Sequence, residues 1–239
     1  MGVKTSQWST FDASFPAKAP KLEGTQCRSL NDRDLAILLR IAQPSNDPRA
    51  VNAIVEFGTW NGDVAYALAH CENEMAHPHI YTFDSCQEFS GGAYLPMDKV
   101  GQAWRDTSVE DRISFNCLSN LDDNLFIEPL RKFCSLVYID SEVGNKYLLA
   151  KLTLDAITLL NKSGTIVWRG YNSDPVVRDF LEHLPCTIEH VVGSDLCFCQ
   201  MGCGMSWMID VGCLLKRILF QERMFNLAKK QGGDGEDQS

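Results

Sequence analysis

The sequence lacks an excess of positive charge. Lysine and arginine together number 22 against 31 aspartate and glutamate residues, which gives a formal net charge of −9 at pH 7. A protein that binds nucleic acid needs a basic face to displace counterions from phosphates, and the basic clusters here are short. We therefore expect no nucleic-acid partner.

Long apolar runs are also missing. Residues 1–25 hold no apolar segment of the kind that a secretory signal needs, and no window approaches the length of a membrane span. The ten cysteines lie mostly on apolar runs such as "LCFC", which is typical of reduced, buried thiols. We therefore expect a cytoplasmic protein without a membrane span. The opening "MGVKTS" matches the myristoylation pattern at Gly2, and whether Gly2 is modified stays open.

The chain has the length and composition of one large domain. It has 239 residues, of which 45% are apolar and 22% charged, so it can bury a core without disulfides or metals. Residues 1–28 are mixed in character and predict an N-terminal arm. Residues 29–230 predict a single domain, and the polar tail "QGGDGEDQS" at 231–239 predicts disorder.

Short apolar runs alternate with helical patterns along most of this domain. The predicted strands are "AIVEFG", "HIYTFDS", "RISFNCL", "CSLVYIDS" and "GTIVWRG", and the helices between them include "DVAYALAHCENEM", "KYLLAKLTLDAITLL" and "PVVRDFLEHL". Near the end, "TIEHVVGSDLCFCQMG" predicts two strands joined by a turn. The alternation predicts an α/β three-layer sandwich: a doubly wound, mostly parallel, Rossmann-like sheet that ends in an antiparallel hairpin.

Three of the predicted strands end in an acid: Glu56, Asp84 and Asp140. Acids are poor strand residues, and the carboxyl ends of parallel strands share one edge, where ligands of such sheets bind. Glu56 is followed by a loop in which Gly58 and Gly62 permit a sharp turn and a close approach of backbone to ligand. We therefore expect a binding pocket at this loop.

The loop lacks the patterns of phosphate binders. It reads E-x-G-x-x-x-G, which is not the dinucleotide pattern G-x-G-x-x-G, and no P-loop Lys-Ser/Thr follows it. A ligand with a nucleoside and no phosphates fits this loop better, with the acid at the second strand end accepting from both ribose hydroxyls.

The stretch "VEFGTWNGDVA" resembles the first motif of class I S-adenosylmethionine-dependent methyltransferases. "YTFDS" is similar to their ribose-binding strand end. The stretch from "CSLVYIDS" to "PVVRDFLEHL" resembles their fourth strand, helix and fifth strand. The resemblance covers about residues 50–202, and the small O-methyltransferase-like branch is the most similar group. It implies S-adenosylmethionine as cofactor.

The resemblance also implies roles for individual residues. The loop would lie against the methionine part of the cofactor, Glu56 would orient the loop, and Asp84 would hold the ribose. Ser119 or Asn120 would lie near the adenine, and Asp140 would face the sulfonium and the methyl acceptor. The implied cofactor-binding residues are Glu56, Gly58, Thr59, Trp60, Gly62, Asp84, Ser119, Asn120 and Asp140.

The chain departs from the branch at the catalytic positions. Val143 follows the fourth strand where the branch has a histidine, and Arg169 and Gly170 follow the fifth strand where the family usually has an acid. A Mg²⁺ site needs several hard oxygens, so we predict no catalytic metal. Asp140 and Asn172 are the predicted catalytic residues, as a weak base and as a group that orients the acceptor. Glu142 and His183 are further weak base candidates.

Arg169 allows two interpretations, since it can bind an anionic acceptor or fill the site by pairing with Asp140. The leading prediction is a metal-independent methyltransferase acting on a small hydroxylated acceptor. The alternative is a catalytically silent member of the fold that serves as a binding or assembly module. The long amphipathic pattern at the C-terminal end predicts a helix that packs on the sheet or on a second subunit, which would make a homodimer.

Overall fold

The structure is a computed structural model, and it describes residues 3–6, 30–42, 53–60, 62–70, 78–84, 104, 109–117, 128–140, 146–201, 210–221 and 224. The strands are β1 (Lys4–Ser6), β2 (Ala53–Phe57), β3 (His79–Asp84), β4 (Ile113–Cys117), β5 (Cys134–Ile139), β6 (Leu160–Arg169), β7 (Glu189–Val191) and β8 (Leu196–Gln200). The helices are α1 (Asp32–Ile41), α2 (Asp63–Ala69), α3 (Lys146–Leu159), α4 (Pro175–Glu182) and α5 (210–221). Two short 3-10 turns span Glu110–Arg112 and Glu128–Leu130.

The strands form one sheet in the order β1-β7-β8-β6-β5-β2-β3-β4. The five strands from β6 to β4 in that order are mutually parallel, whereas β8 runs antiparallel to both β6 and β7. The predicted fold class, a mostly parallel doubly wound sheet with a C-terminal antiparallel hairpin, is confirmed.

Helices cover both faces of this sheet. One core cluster joins α3, α4 and α5 to one face, and a second joins α1 and α2 to the other. Neighbouring residues of β2 alternate between the two, since Val55 belongs to the first cluster and Ile54 to the second. A sheet buried on both faces needs strands that are apolar at most positions, which explains the nearly continuous apolar runs of the sequence.

Two helices begin where the sequence places a cap. The Asn31 side chain accepts a hydrogen bond from the Asp34 N–H at the start of α1. The Asp174 side chain accepts one from the Val176 N–H at the start of α4, and Pro175 occupies the first turn. Each cap satisfies a backbone donor that the first helical turn leaves unpaired.

The end of α3 differs from the prediction. The sequence pattern continues the helix to Ser163 and Gly164, but α3 ends at Leu159 and Leu160 already pairs with Cys134 of β5. The pairing register shifts between Cys134 and Leu136, so β6 starts with an irregular segment. Tertiary pairing with β5 overrides the local helical pattern here.

The described parts of both termini pack on the domain. Residues 4–6, within the predicted arm, form strand β1, which pairs in parallel with β7. In α5, Val211 and Leu215 are buried in the core, while Phe220 is 64% exposed. The helix thus packs on its own domain, and a homodimer stays a prediction. The domain boundaries stay predictions as well, and the tail lies outside the described residues. Within the described ranges, no helix is long and apolar enough to cross a membrane.

Candidate functional site

The order of the strands reverses beside β2. From β2 the chain proceeds to β3 and β4 on one side of the sheet, and β5 and β6 then occupy the other side. In an open α/β sheet such a switch point leaves a crevice at the carboxyl ends of the strands, and ligands bind there. The structure places Glu56, Asp84 and Asp140 at the carboxyl ends of β2, β3 and β5, the three strands that meet at this point.

Gly58 directly follows β2 and lies between the ends of β3 and β5. Its φ is +96°, a conformation that favours glycine, and its N–H donates to the Phe83 oxygen at 2.8 Å. An added Cβ at Gly58 would lie 3.0 Å from the Asp140 Cβ. The backbone of the loop therefore lies directly against Asp140, and the predicted close approach of this backbone to a ligand stays a prediction.

Asp84 holds the loop that follows Gly58. Its Oδ2 atom accepts hydrogen bonds from the Thr59 N–H at 3.0 Å and from the Trp60 N–H at 3.1 Å. Trp60 has a φ of +48° and is about half exposed, so these bonds stabilise a turn that is otherwise unfavourable. The resemblance assigned Asp84 to a ribose, and the structure adds that Asp84 orients the loop.

A tryptophan that the sequence did not single out supports the start of α2. The Trp104 Nε1–H donates to the Gly62 oxygen at 3.1 Å, and Trp104 is only 3% exposed. Gly62 has a φ of +79°, and an added Cβ would overlap the Trp104 ring. The aromatic, glycine-containing stretch "CQEFSGGAYLPMDKVGQAW" was the available signal, since Trp104 is its last residue.

Glu56 is buried completely beneath the loop. Its Oε2 accepts a hydrogen bond of 2.6 Å from the Thr82 hydroxyl. The Thr82 oxygen in turn lies 2.5 Å from the Thr59 hydroxyl. The Thr82 hydroxyl has a single proton and donates it to Glu56, so the Thr59 hydroxyl is the donor in the hydrogen bond between the two threonines. Glu56 Oε1 has no hydrogen-bond partner among the described residues.

The surroundings of Glu56 oppose its ionisation. Burial raises the pKa of this carboxyl well above its usual range, and the nearby acids Asp63, Asp140 and Asp84 raise it further. The hydrogen bond from Thr82 acts in the opposite direction and is outweighed. The surroundings of Glu56 therefore favour the neutral form of its carboxyl.

Asp140 forms an ion pair with Arg169. The Arg169 Nη1 donates to Asp140 Oδ1 at 3.1 Å and to Oδ2 at 3.0 Å, and the Tyr138 hydroxyl donates to Oδ2 at 3.3 Å. Burial raises the pKa of the Tyr138 phenol, and the Asp140 charge adds to this effect. This arrangement agrees with the interpretation in which Arg169 pairs with Asp140.

Of the remaining predicted residues, the structure describes Asn172 and His183. The Asn172 side chain donates to the Ser194 oxygen, and its backbone N–H donates to Asp195, so its described contacts tie it to the turn between β7 and β8. His183 is exposed and bonds the Asp179 oxygen. Ser119, Asn120 and Glu142 lie outside the described residues. Among described side chains, no three His, Cys, Asp or Glu are grouped as a metal site.

Comparisons with known proteins give structural matches alone, since no family model and no curated relative matches the chain. Cofactor-bound Rv0187 from MTB matches with a TM-score of 0.51 and 16% identity, over 75% of this chain and 84% of that one. Geranyl diphosphate methyltransferase in complex with GPP and sinefungin matches with a TM-score of 0.41 and 10% identity, over 57% of this chain. A methyltransferase from Geobacter sulfurreducens matches with a TM-score of 0.39 and 18% identity, over 57% of this chain and 60% of that one.

The chain covers only 43% of geranyl diphosphate methyltransferase, less than half of its length. At these identities the likeness concerns the fold alone. The match to Rv0187 shows the fold alone, and the chain has a Rossmann-like α/β fold.

Proposed function

We propose that the chain is an S-adenosylmethionine-dependent methyltransferase whose cofactor binds at the carboxyl ends of β2, β3 and β5. The observation that carries this proposal is the convergence of Glu56, Asp84 and Asp140 around the Gly58 loop at the switch point of the sheet. Asp84 fixes the loop, and the missing side chain of Gly58 lets the loop lie against Asp140.

The charges of the site fit this cofactor better than a dinucleotide. Asp63, Asp84 and Asp140 are close enough to Glu56 to raise its pKa, and Arg169 pairs with Asp140. An anionic pyrophosphate is repelled by such a cluster, whereas a ligand with a sulfonium and an ammonium group is attracted.

The cofactor supplies an activated methyl group, so the protein mainly has to align the acceptor and exclude water. In this proposal the loop from Gly58 to Gly62 supports the methionine part, and Asp84 accepts from the ribose hydroxyls. Ser119 or Asn120 lies near the adenine. Asp140, held by Arg169 and Tyr138, faces the transferred methyl group.

The acceptor is proposed to be a small molecule with a hydroxyl group, methylated without a metal. Asp140 is the proposed weak base, and the pairing with Arg169 fixes the direction of its two oxygens. Asn172 is the proposed acceptor-orienting residue, at the loop between β6 and α4 that follows the same sheet edge. A cytoplasmic location and a homodimer belong to the same proposal.

Calorimetric titration with S-adenosylmethionine and with S-adenosylhomocysteine tests cofactor binding. We expect both to bind, and we expect Asp84→Asn to weaken both by about 10- to 100-fold, since one lost charge-assisted hydrogen bond is worth about 1.5–3 kcal/mol. The asparagine keeps an oxygen that accepts from the Thr59 and Trp60 N–H groups, so the loop is retained. Asp179→Asn, at an exposed ion pair with Lys146, is the control. Folded protein that binds neither compound rules the function out.

The second candidate is a catalytically silent protein that keeps the fold as a binding or assembly module. The observation that favours it is the ion pair between Asp140 and Arg169. Arg169 donates to both carboxylate oxygens of Asp140, the residue that is proposed as the base. Mass spectrometry distinguishes the candidates when the protein is incubated with labelled cofactor and a panel of phenols, alcohols and carboxylic acids. Any methylated product excludes the silent module, whereas cofactor binding without a product supports it.

A further inference from the structure

We propose that Glu56 makes this pocket select a cationic ligand over its neutral counterpart, by releasing a proton when the cation binds. The inference rests on the proposed function, in which the cationic ligand is S-adenosylmethionine and the neutral counterpart is its demethylated product. The two compounds share the nucleoside and the amino acid, and they differ in the charge on sulfur.

The position of the proton follows from the hydrogen bonds. Thr82 donates to Oε2 of Glu56, so a proton held by the neutral carboxyl resides on Oε1. Oε1 is the oxygen without a partner among the described residues, and Glu56 is completely buried. A buried carboxylate oxygen without a partner is costly to charge, so this geometry favours the protonated form of Glu56.

The charges around Glu56 come from every element that packs against it. Asp63 lies on α2, Asp84 ends β3, and Asp140 follows β5; all three disfavour a further negative charge. Tyr138 of β5 is neutral, and the Arg169 guanidinium of β6 is engaged by Asp140. Together with burial, these acids keep the pKa of Glu56 well above its usual range.

A cation that binds near these acids favours the ionised form of Glu56 over the neutral form. It stabilises the ionised carboxylate, so the pKa of Glu56 falls on binding and the proton leaves to solvent. Between the pKa of Glu56 in the ligand-bound protein and its pKa in the free protein, the cationic ligand binds more tightly as the pH rises. The neutral thioether lacks this effect, because its binding does not require the carboxylate to ionise. The affinity ratio of the two ligands therefore increases with pH.

Calorimetry of the unmodified protein measures this directly. Titrations in phosphate and in Tris, whose ionisation enthalpies differ, give the number of protons released. We expect S-adenosylmethionine to release more protons than S-adenosylhomocysteine, and the affinity ratio to increase by up to about tenfold per pH unit, the limit for one proton. Equal proton release and a constant ratio across the pH range overturn the inference.

Three variants assign the effect to Glu56. Glu56→Gln keeps the shape and an acceptor for Thr82 but cannot titrate, so the extra proton release and the pH dependence of the ratio disappear. Thr82→Val removes the hydrogen bond that lowers the pKa of Glu56, so the dependence moves to higher pH. Asp179→Asn, which changes an exposed charge on α4, leaves the dependence as it is. A dependence that persists in Glu56→Gln contradicts the assignment.

The outcomes separate this inference from the function on which it rests. If neither compound binds, both are overturned. If both bind with the same proton release, the inference alone fails and the cofactor stays. Should Glu56→Gln not fold, which a thermal melt reveals, the unmodified protein and Thr82→Val still decide the result.

Discussion

At Gly62 the conformation and the surroundings each require glycine. The φ of +79° is rarely adopted by other residues, and the Trp104 ring occupies the place where a side chain would begin. Gly212 in α5 is the opposite case, since an added Cβ there meets no atom within 4 Å. The two positions make a matched pair of glycine-to-alanine substitutions.

Gly62→Ala is expected to lower the free energy of unfolding by about 2–4 kcal/mol, because backbone strain adds to overlap with a buried ring. Gly212→Ala is expected to raise it by about 0.5–1 kcal/mol, because alanine favours a helix interior. Urea denaturation followed by tryptophan fluorescence measures both values. Similar effects of the two substitutions would show that Trp104 does not pack against the loop as described.

At the scale of elements, α1 is tied to the turn between β7 and β8. Asp34 is 1% exposed and accepts hydrogen bonds from the Ser194 hydroxyl at 2.5 Å and from the Asp195 N–H at 3.3 Å. The Arg33 guanidinium donates to the Val192 oxygen at 2.6 Å. These contacts connect the first helix to the last hairpin, across a large separation in sequence.

Asp34→Ala is expected to lower the free energy of unfolding by about 2–4 kcal/mol, since it leaves buried donors at Ser194 and Asp195 unpaired. Glu128→Ala is the control, because it removes an exposed ion pair with Arg131 and is expected to cost less than about 1 kcal/mol. Denaturation in urea gives both values. An Asp34→Ala protein as stable as the control would mean that the connection between α1 and the hairpin contributes nothing.

At the scale of the whole molecule, the sheet is most protected at its centre. Strands β2 and β5 are each paired on both sides and buried on both faces. Strands β1 and β4 each pair with a single neighbour in the described sheet. Stability differs across a fold in this way, and amides at the least stable positions exchange fastest with solvent.

Hydrogen exchange measured by mass spectrometry is expected to be slowest in β2 and β5 and considerably faster in β1 and β4. The strand β1 has three residues and adds to β7, which is also short, so it opens at little cost. Slow exchange of β1, equal to that of β5, would contradict this order and would indicate that the N-terminal segment is part of the stable centre.

The sequence predicted most of the strands and helices that follow from local patterns of apolar and polar residues. Apolar runs and helical patterns located the strands from β2 to β6, and the acids at their ends marked the edge that carries the candidate site. It did not predict β1, because "KTS" has no apolar pattern. It also extended α3 too far, since pairing of Leu160 with β5 is invisible to a local pattern.

The sequence by itself determined the fold class and the sheet edge that carries the candidate site, because strand periodicity and strand-end acids are properties of neighbouring residues. Only the tertiary structure decided which contacts the residues of this candidate site make. Trp104 against Gly62, Thr82 between Thr59 and Glu56, and Arg169 on Asp140 join residues that are distant in the chain. Such contacts depend on how the strands and loops are brought together, so no local pattern contains them.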